Sequence, residues 1–163
     1  MISIRKASPQ DIRAIHEMSS ASLPNDFKGV LNTEAIDLLF ERLYSQDVLQ
    51  NDFNAGQVFF VVSDNGRDCG YASVIQQGPD LYLMPKILIE KGYRKQGIGT
   101  ALYLKIEEYI KTVHPQHCTL EMLVNPHNKA YGFYEKMGMR KVRETGTDFE
   151  GFYLVQDVLA KEI

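Results

Sequence analysis

The spacing of apolar residues changes along the chain between short continuous runs, which are typical of strands, and repeats of three and four, which are typical of helices. Strands are predicted at residues 2–5, 58–62, 70–76, 81–89, 119–124, 140–144 and 152–159. Pro85 and Lys86 interrupt the run at residues 81–89, and a proline inside a strand predicts a break in its pairing. Strand runs that alternate with helical repeats predict a mixed sheet with helices on its faces.

The predicted helices lie between these strands. Ser8 offers an N-cap with Pro9 at the first helical position. A second helix is predicted around residues 33–44, after the turn-like segment LPNDFKG at residues 23–29. The clearest repeat runs over residues 98–113, where apolar residues share one helical face.

The C-terminal part of the pattern contains a last helix and two closing strands. Asn125 can cap this helix, with Pro126 at its first position and Gly138 near its end. The closing strands are joined through the segment TGTDFEG, residues 145–151. We therefore expect the chain to end in a strand pair that completes the sheet.

Composition and charge limit the kinds of function that the chain can have. The 163 residues are 44% hydrophobic, which fits a single domain over residues 1–163. The net charge is -3 and no block of like charge occurs, so we expect a small-molecule partner and no nucleic acid. No apolar leader follows Met1, and no run approaches the roughly 18 apolar residues of a membrane span. We expect a cytoplasmic protein that does not bind a membrane.

The two cysteines predict neither a disulfide framework nor a metal centre. Cys69 and Cys118 lie far apart in the sequence, and a structural zinc site needs four ligands. We expect both to be small buried apolar residues. His114 and His117 flank a proline without a third ligand in view, so we expect no metal there either.

The segment GYRKQGIGTALY, residues 92–103, places two glycines between a predicted strand and a predicted helix. Such a junction leaves unpaired backbone N–H groups at the positive end of a helix dipole, which suits phosphate. Gly97 and Gly99 would let a phosphate approach the backbone, and Arg94 and Lys95 add positive charge. On the loop alone, a tight turn that only starts a helix stays open as the alternative.

The spacing of this loop differs from that of two other phosphate-binding loops. A Walker loop needs a lysine after its second glycine, where this chain has Thr100. A Rossmann loop needs a third glycine three residues further on, where this chain has Leu102. The pattern that remains is Arg-x-x-Gly-x-Gly.

Three segments, in this order and spacing, resemble the GNAT superfamily of acetyl-CoA-dependent N-acetyltransferases. ISIRKASPQDIRAI resembles its first strand and helix, ILIEKGYRKQGIGTALY its cofactor motif, and NKAYGFYEKMGMRKV its second cofactor segment. The resemblance covers nearly the whole chain. It implies an α/β (α+β) fold with a mixed, mostly antiparallel central sheet of six to seven strands and about four helices. It also implies acetyl-CoA as the cosubstrate.

The resemblance further implies which residues would bind coenzyme A. Backbone amides of the loop would hold the pyrophosphate, and the backbone of the preceding strand would pair with the pantetheine arm. The amide of Ile89 would polarise the acetyl carbonyl as an oxyanion donor. The implied cofactor-binding residues are Ile87, Leu88, Ile89, Arg94, Lys95, Gln96, Gly97, Ile98, Gly99 and Thr100, together with His127 or Asn128.

Tyr134 matches the family tyrosine that protonates the departing thiolate of coenzyme A, and a phenol with a usual pKa of about 10 suits that task. The alternative is a core tyrosine beside Phe133. The family usually places an asparagine seven residues before this tyrosine, where this chain has His127, with Asn128 one residue closer. We favour Asn128 slightly for the pantetheine arm, with His127 as the other candidate or as a solvated residue.

The general base is the least determined part of the implied site. Many relatives carry a carboxylate on the strand before the loop, where this chain has residues 83–85, Leu-Met-Pro. Glu121 is the best substitute, because a carboxylate in an otherwise apolar strand needs a partner or a function. The alternative for Glu121 is an ion pair or a hydrogen bond. Asp80, Tyr82 or a chain of waters are the further candidates for the base.

The implied reaction is direct transfer of the acetyl group to an amine. The acceptor would lie against residues 19–29, the strand around Tyr82 and Met84, and the closing hairpin with Asp148 and Glu150. Aromatic and acidic residues suit a cationic amine, and FYLVQDVLAKEI loosely resembles bacterial polyamine acetyltransferases. A polyamine is therefore expected first, with an amino acid, an aminoglycoside or a protein amine as alternatives. The rival from another class is a non-catalytic acetyl-CoA-binding sensor or interaction module, and a homodimer is the expected assembly.

Overall fold

The computed structural model describes residues 1–163 and contains the predicted alternation of strands and helices. The strands are β1 (Ile2–Lys6), β2 (Val58–Asp64), β3 (Arg67–Gly78), β4 (Leu81–Leu83), β5 (Ile87–Ile89), β6 (Thr119–Val124), β7 (Arg140–Phe149) and β8 (Phe152–Glu162). The helices are α1 (Ile12–Asp26), α2 (Thr33–Tyr44), α3 (Gln46–Asn54), α4 (Ile98–Val113) and α5 (Tyr131–Lys136). Short 3-10 turns at Pro9–Asp11 and Lys91–Tyr93 precede α1 and α4.

The eight strands form one sheet in which only the β4–β6 pair is parallel. Its order is β1-β2-β3-β4-β6-β8-β7, and β5 pairs with β3 beside β4. The prediction of a mixed, mostly antiparallel sheet with helices on its faces is confirmed. The sheet has one strand more than the predicted maximum because the run at residues 81–89 forms β4 and β5. Pro85, which has no amide N–H to donate, lies between them.

A gap opens in the sheet where β4 ends. Leu83 pairs with Glu121 of β6, and the Met84 amide still donates to the Glu121 carbonyl at 2.9 Å. Beyond Met84 the chain pairs with β3 alone, since residues 87–89 lie opposite residues 70–72. The second half of β6 pairs only with β8. The splay, as we call this gap, therefore lies between β5 and the C-terminal half of β6.

The backbone groups of β5 alternate between β3 and the splay. The Lys86 carbonyl accepts a hydrogen bond from β3 at 2.8 Å, and the Glu90 amide donates one to β3 at 2.9 Å. Since the direction of backbone hydrogen bonding alternates along an antiparallel strand, the backbone groups of Ile87 and Ile89 face the splay.

Two clusters of buried side chains hold the helices on the two faces of the sheet. α4 packs on one face, with Leu102 fully buried at its centre. α1 and α3 pack on the other face around Ile15 and Leu49, which are also fully buried. Cys69 and Cys118 are free and fully buried on the α4 side, which confirms the prediction made for them. None of the helices combines the length and the apolar character that crossing a membrane requires.

The segment between β1 and β2 is more helical than predicted. LPNDFKG was expected to form a turn, but α1 continues through Leu23 and Pro24 to Asp26. Leu23 is buried, and packing of this side chain favours the helix in spite of the proline. α3 was not predicted; it follows Ser45, whose hydroxyl accepts a hydrogen bond from the Val48 amide at 3.3 Å.

The C-terminal part differs from the prediction in two places. Asn125 does not cap a helix, because α5 begins only at Tyr131. Its side-chain oxygen accepts a hydrogen bond from the His127 amide at 2.9 Å and so closes a turn. TGTDFEG belongs largely to β7, and the chain reverses at Glu150 and Gly151, which have φ values of 51° and 98°. Positive φ at both central residues suits a tight hairpin, so the closing strands are longer than predicted.

Candidate active site

The junction between β5 and α4 presents a row of backbone amides that have no partner in the protein. α4 begins at Ile98, and the first amide to find a helical acceptor is that of Ala101, which donates to the Gly97 carbonyl at 3.1 Å. The six amides of residues 95–100 make no hydrogen bond of standard geometry within the protein. The positive end of the α4 dipole lies at the same place. Unpaired amides at such a helix start are ready donors to an anion.

Gly97 has the backbone conformation that this row of amides requires. Its φ is 78°, and Lys95 before it has a φ of 63°. An L residue in this left-handed region costs about 1–2 kcal/mol, a cost that glycine does not carry. A β-carbon on Gly97 would have no other protein atom within 4 Å, so the space in front of it is open. An anion therefore has room to reach the backbone here.

The side chain of Arg94 joins the end of β5 to the end of α1. Its Nε donates to the Ile89 carbonyl at 2.8 Å. One terminal nitrogen contacts both carboxylate oxygens of Asp26, at 3.1 and 3.2 Å. The guanidinium thus contacts both a strand and a helix, and its contribution to cofactor binding stays a prediction.

Tyr134 lies on α5 with its side chain buried. Burial raises its pKa well above the usual value, and the negative charge of Asp26 acts in the same direction. The neighbouring Phe133 lies against the start of α4, because a β-carbon on Gly99 would be 3.6 Å from the Phe133 ring. The structure therefore brings the loop and the helix that carries Tyr134 into contact.

The two candidates for the pantetheine arm lie in the exposed turn before α5. The side-chain oxygen of Asn128 accepts a hydrogen bond from the Ala130 amide at 2.8 Å, so this side chain already holds the turn. His127 is exposed, and its amide donates to Asn125. Contact of either side chain with the cofactor stays a prediction.

Comparison with known proteins decides the family. Residues 28–156 match the family model described as the acetyltransferase (GNAT) domain. The chain belongs to the GNAT acetyltransferase family. The prediction of an acetyltransferase that uses acetyl-CoA as its cosubstrate is thereby confirmed. No curated protein sequence matches the chain.

Several solved GNAT structures share the fold over their whole length. The PaiA N-acetyltransferase of Thermoplasma acidophilum, in complex with coenzyme A, is 21% identical; the alignment covers 100% of this chain and 99% of that one, with a TM-score of 0.81. The ribosomal-protein-S18-alanine N-acetyltransferase of Escherichia coli is 17% identical, with coverages of 100% and 94% and a TM-score of 0.76. NAA60 of Arabidopsis thaliana, in complex with acetyl-CoA, is 19% identical, with coverages of 100% and 99% and a TM-score of 0.72. At these identities the likeness shows the GNAT fold.

Glu121, the predicted base, is held by an arginine. Its two carboxylate oxygens accept hydrogen bonds from two nitrogens of Arg143, at 2.9 and 3.3 Å. The Glu121 side chain is 14% exposed, so little of the carboxylate is open to a substrate. The ion pair named as the alternative is therefore present, and proton transfer to Glu121 stays a prediction.

The further base candidates and the acceptor segments have contacts within the protein, and their roles stay predictions. Asp80 contacts the His114 ring at 3.0 Å. Tyr82 and Met84 are buried in the cluster beneath α4, so their side chains are part of the core. Glu150 pairs with Arg42 of α2, which links the tip of the β7–β8 hairpin to that helix.

One buried polar group was missed by the sequence analysis. The Lys86 side chain is 7% exposed, and its ammonium lies 3.1 Å from the Asp52 carboxylate and 5.2 Å from the centre of the Tyr44 ring. Burial and the charges of Asp26 and Asp52 raise the pKa of Tyr44 to about 12. The sequence contains a signal for this buried ion pair, because Lys86 lies inside the apolar run at residues 81–89 and a buried charge needs a partner. The prediction used Lys86 only as part of a strand break.

Proposed function

We propose that this GNAT protein transfers an acetyl group from acetyl-CoA to a primary amine, which attacks directly in a ternary complex. The observation that carries the proposal is the row of six unpaired amides at residues 95–100. These donors and the α4 dipole suit the pyrophosphate of coenzyme A. The thioester of acetyl-CoA supplies the activated acetyl group.

The splay is the place proposed for the pantetheine arm and the acetyl group. Ile87 and Ile89 offer backbone groups to it, and a free strand edge can pair with an amide-containing arm. The Ile89 amide would donate to the carbonyl oxygen as negative charge develops there. Removal of one such donor typically costs on the order of 3 kcal/mol of transition-state stabilisation.

Tyr134 is the residue proposed to protonate the leaving sulfur. Its buried phenol has a raised pKa and keeps its proton at neutral pH, which a general acid requires. α5 is only 6 residues long and is held in place by its contacts. Among these, the Tyr131 hydroxyl donates to the buried Asp157 carboxylate at 2.6 Å. This anchor would keep Tyr134 at a fixed place beside the splay.

The proposed acceptor is a small cationic amine, with a polyamine such as spermidine as the first candidate. Asp26 supplies an accessible acidic group at the end of α1, which suits a cation. A protein amine is the second candidate acceptor, because the similar protein of E. coli acetylates an alanine of a ribosomal protein. A cytoplasmic location and a homodimer stay predictions.

The test is release of free thiol from acetyl-CoA in the presence of single amines. The panel contains spermidine, an amino acid, an aminoglycoside and a peptide that begins with alanine. We expect release with spermidine that saturates with its concentration. Tight binding of acetyl-CoA without release by any amine would contradict the proposal and indicate a non-catalytic binding module.

A further inference from the structure

The proposed reaction needs a group that accepts a proton from the attacking nitrogen, and most nearby carboxylates are engaged. Glu121 accepts hydrogen bonds from two nitrogens of Arg143. Asp52 is paired with the buried Lys86. Asp26, the last residue of α1, is also paired with an arginine, but both of its oxygens contact one nitrogen of Arg94 and its side chain is 31% exposed. Since a carboxylate has about four lone-pair sites and Asp26 accepts two hydrogen bonds, about two of its sites stay open to a proton.

Contacts of Arg94 fix Asp26 close to the reacting groups. The same guanidinium donates to the Ile89 carbonyl at 2.8 Å and to Asp26 at 3.1 Å. The carboxylate is therefore one side chain away from the residue whose amide faces the splay. The negative charge of Asp26 also contributes to the raised pKa of Tyr134. Asp26 is thus linked through the Arg94 side chain to the residue whose amide faces the splay.

The dipole of α1 disfavours a negative charge at the position of Asp26. Asp26 is the last residue of α1, where the negative end of the helix dipole lies. Its side chain is 31% exposed, compared with 14% for Glu121, so a substrate has access to it. The titratable groups that face it are Arg94, Tyr44 and Tyr134. An accessible carboxylate that is held by Arg94 near the end of β5 is a candidate for a role in the reaction.

We propose that Asp26 is the general base of this acetyltransferase, an inference that rests on the proposed function. As the amine nitrogen forms its bond to the acetyl carbon, its N–H bond breaks and the proton moves to Asp26. The carbon–sulfur bond breaks, and the thiolate takes the proton of Tyr134. Solvent then carries the proton from Asp26 to the Tyr134 phenolate, which restores both residues.

The test compares Asp26→Ala, Asp26→Asn and Asp26→Glu with the wild type, using the amine that releases most thiol. We expect Asp26→Ala to lower kcat about 100-fold or more while KM for acetyl-CoA changes little. Added formate, which can occupy the space left by the side chain, should raise kcat of Asp26→Ala by roughly tenfold or more. Asp26→Glu should retain part of the activity. If Asp26→Ala does not fold, Asp26→Asn has the same size and still offers Arg94 an oxygen.

Arg94→Gln and Glu121→Gln distinguish a general base at Asp26 from two alternatives, a positioning role for Asp26 and a general base at Glu121. If Asp26 only positions other groups, Arg94→Gln should lower kcat as much as Asp26→Ala does, and formate should not raise kcat of Asp26→Ala. That pair of results would overturn the proposal. Unchanged kcat in Asp26→Asn, or a larger loss in Glu121→Gln, would overturn it as well. Each of these outcomes leaves the proposed function intact, because the wild type turns over. A wild type that releases no thiol with any amine would overturn the proposed function and the role of Asp26 together.

Discussion

Gly70 of β3 lies directly opposite Ile89 of β5. A β-carbon on Gly70 would lie 2.6 Å from the Leu88 carbonyl oxygen and 2.7 Å from the Ile89 side chain. Both distances are too short for any side chain. Glycine at this position therefore lets β5 lie close against β3, with the backbone groups of Ile87 and Ile89 left facing the splay.

We expect Gly70→Ala to displace β5 and to weaken the proposed acetyl site. Overpacking of this kind typically costs about 1–3 kcal/mol of stability. The free energy of unfolding should fall by that amount, and kcat/KM for acetyl-CoA should fall with it. Urea denaturation and steady-state kinetics measure the two effects. The matched control is Gly78→Ala in the same strand, where the nearest atom to the new β-carbon would lie at 3.6 Å. Equal behaviour of the two variants would mean that Gly70 does not set the position of β5.

Tyr134→Phe should lower kcat by about 100-fold while KM for acetyl-CoA changes little, since only the proton donor is lost. Burial raises the pKa of Tyr134, so the wild-type phenol stays protonated beyond its usual pKa of about 10. Loss of activity from ionisation of Tyr134 should therefore appear only above about pH 10. Tyr109→Phe on α4, whose ring packs on Phe60, is the control. Unchanged kcat in Tyr134→Phe would remove this residue from the mechanism.

Stability at alkaline pH should depend on Tyr71. This side chain is fully buried, and its hydroxyl lies 2.6 Å from the Ser19 hydroxyl, which itself donates to the Ile15 carbonyl. Burial raises the pKa of Tyr71 well above its usual value. The unfolded chain therefore releases this proton first, near pH 10, while the folded protein keeps it. The stabilising contribution is complete below about pH 10 and is lost as the pH rises further.

Tyr71→Phe removes this group, so its free energy of unfolding should fall less steeply above pH 10 than that of the wild type, by up to about 1.4 kcal/mol per pH unit. At neutral pH the lost hydrogen bond should cost about 1 kcal/mol. Denaturation at a series of pH values measures both. Tyr153→Phe, which changes a 65% exposed ring, is the control. Parallel curves for Tyr71→Phe and wild type would contradict the assignment.

The parts of the fold with strong local patterns could be predicted from the sequence. The repeat over residues 98–113 became α4 with the same bounds, and Pro85 marked the break that opens the splay. α3 and the last turn of α1 were missed because their stability comes from the burial of Leu49 and Leu23 against other elements. Local propensity contains no information on such contacts.

The candidate site was predictable where it consists of backbone and of motif residues. The loop at residues 95–100 lies inside the glycine-containing motif, and Tyr134 lies inside the second cofactor segment, so both could be located from the sequence. Pairings between distant side chains could not be predicted, such as Glu121 with Arg143 and Asp26 with Arg94, which are 68 residues apart. These pairs depend on which helix lies over which strand, and the spacing of residues along the chain does not specify that.

Binding of acetyl-CoA measured by calorimetry, for the wild type, Gly97→Ala and Gly92→Ala, tests the central claim most directly. Gly97 has a φ of 78°, so alanine there strains the row of amides, while Gly92 in the same loop has an ordinary φ and open space around it. We predict tight binding by the wild type and by Gly92→Ala, and roughly tenfold weaker binding by Gly97→Ala, as expected for about 1–2 kcal/mol of strain. Absence of binding by the wild type would contradict the account, because the unpaired amides would then not be a coenzyme A site.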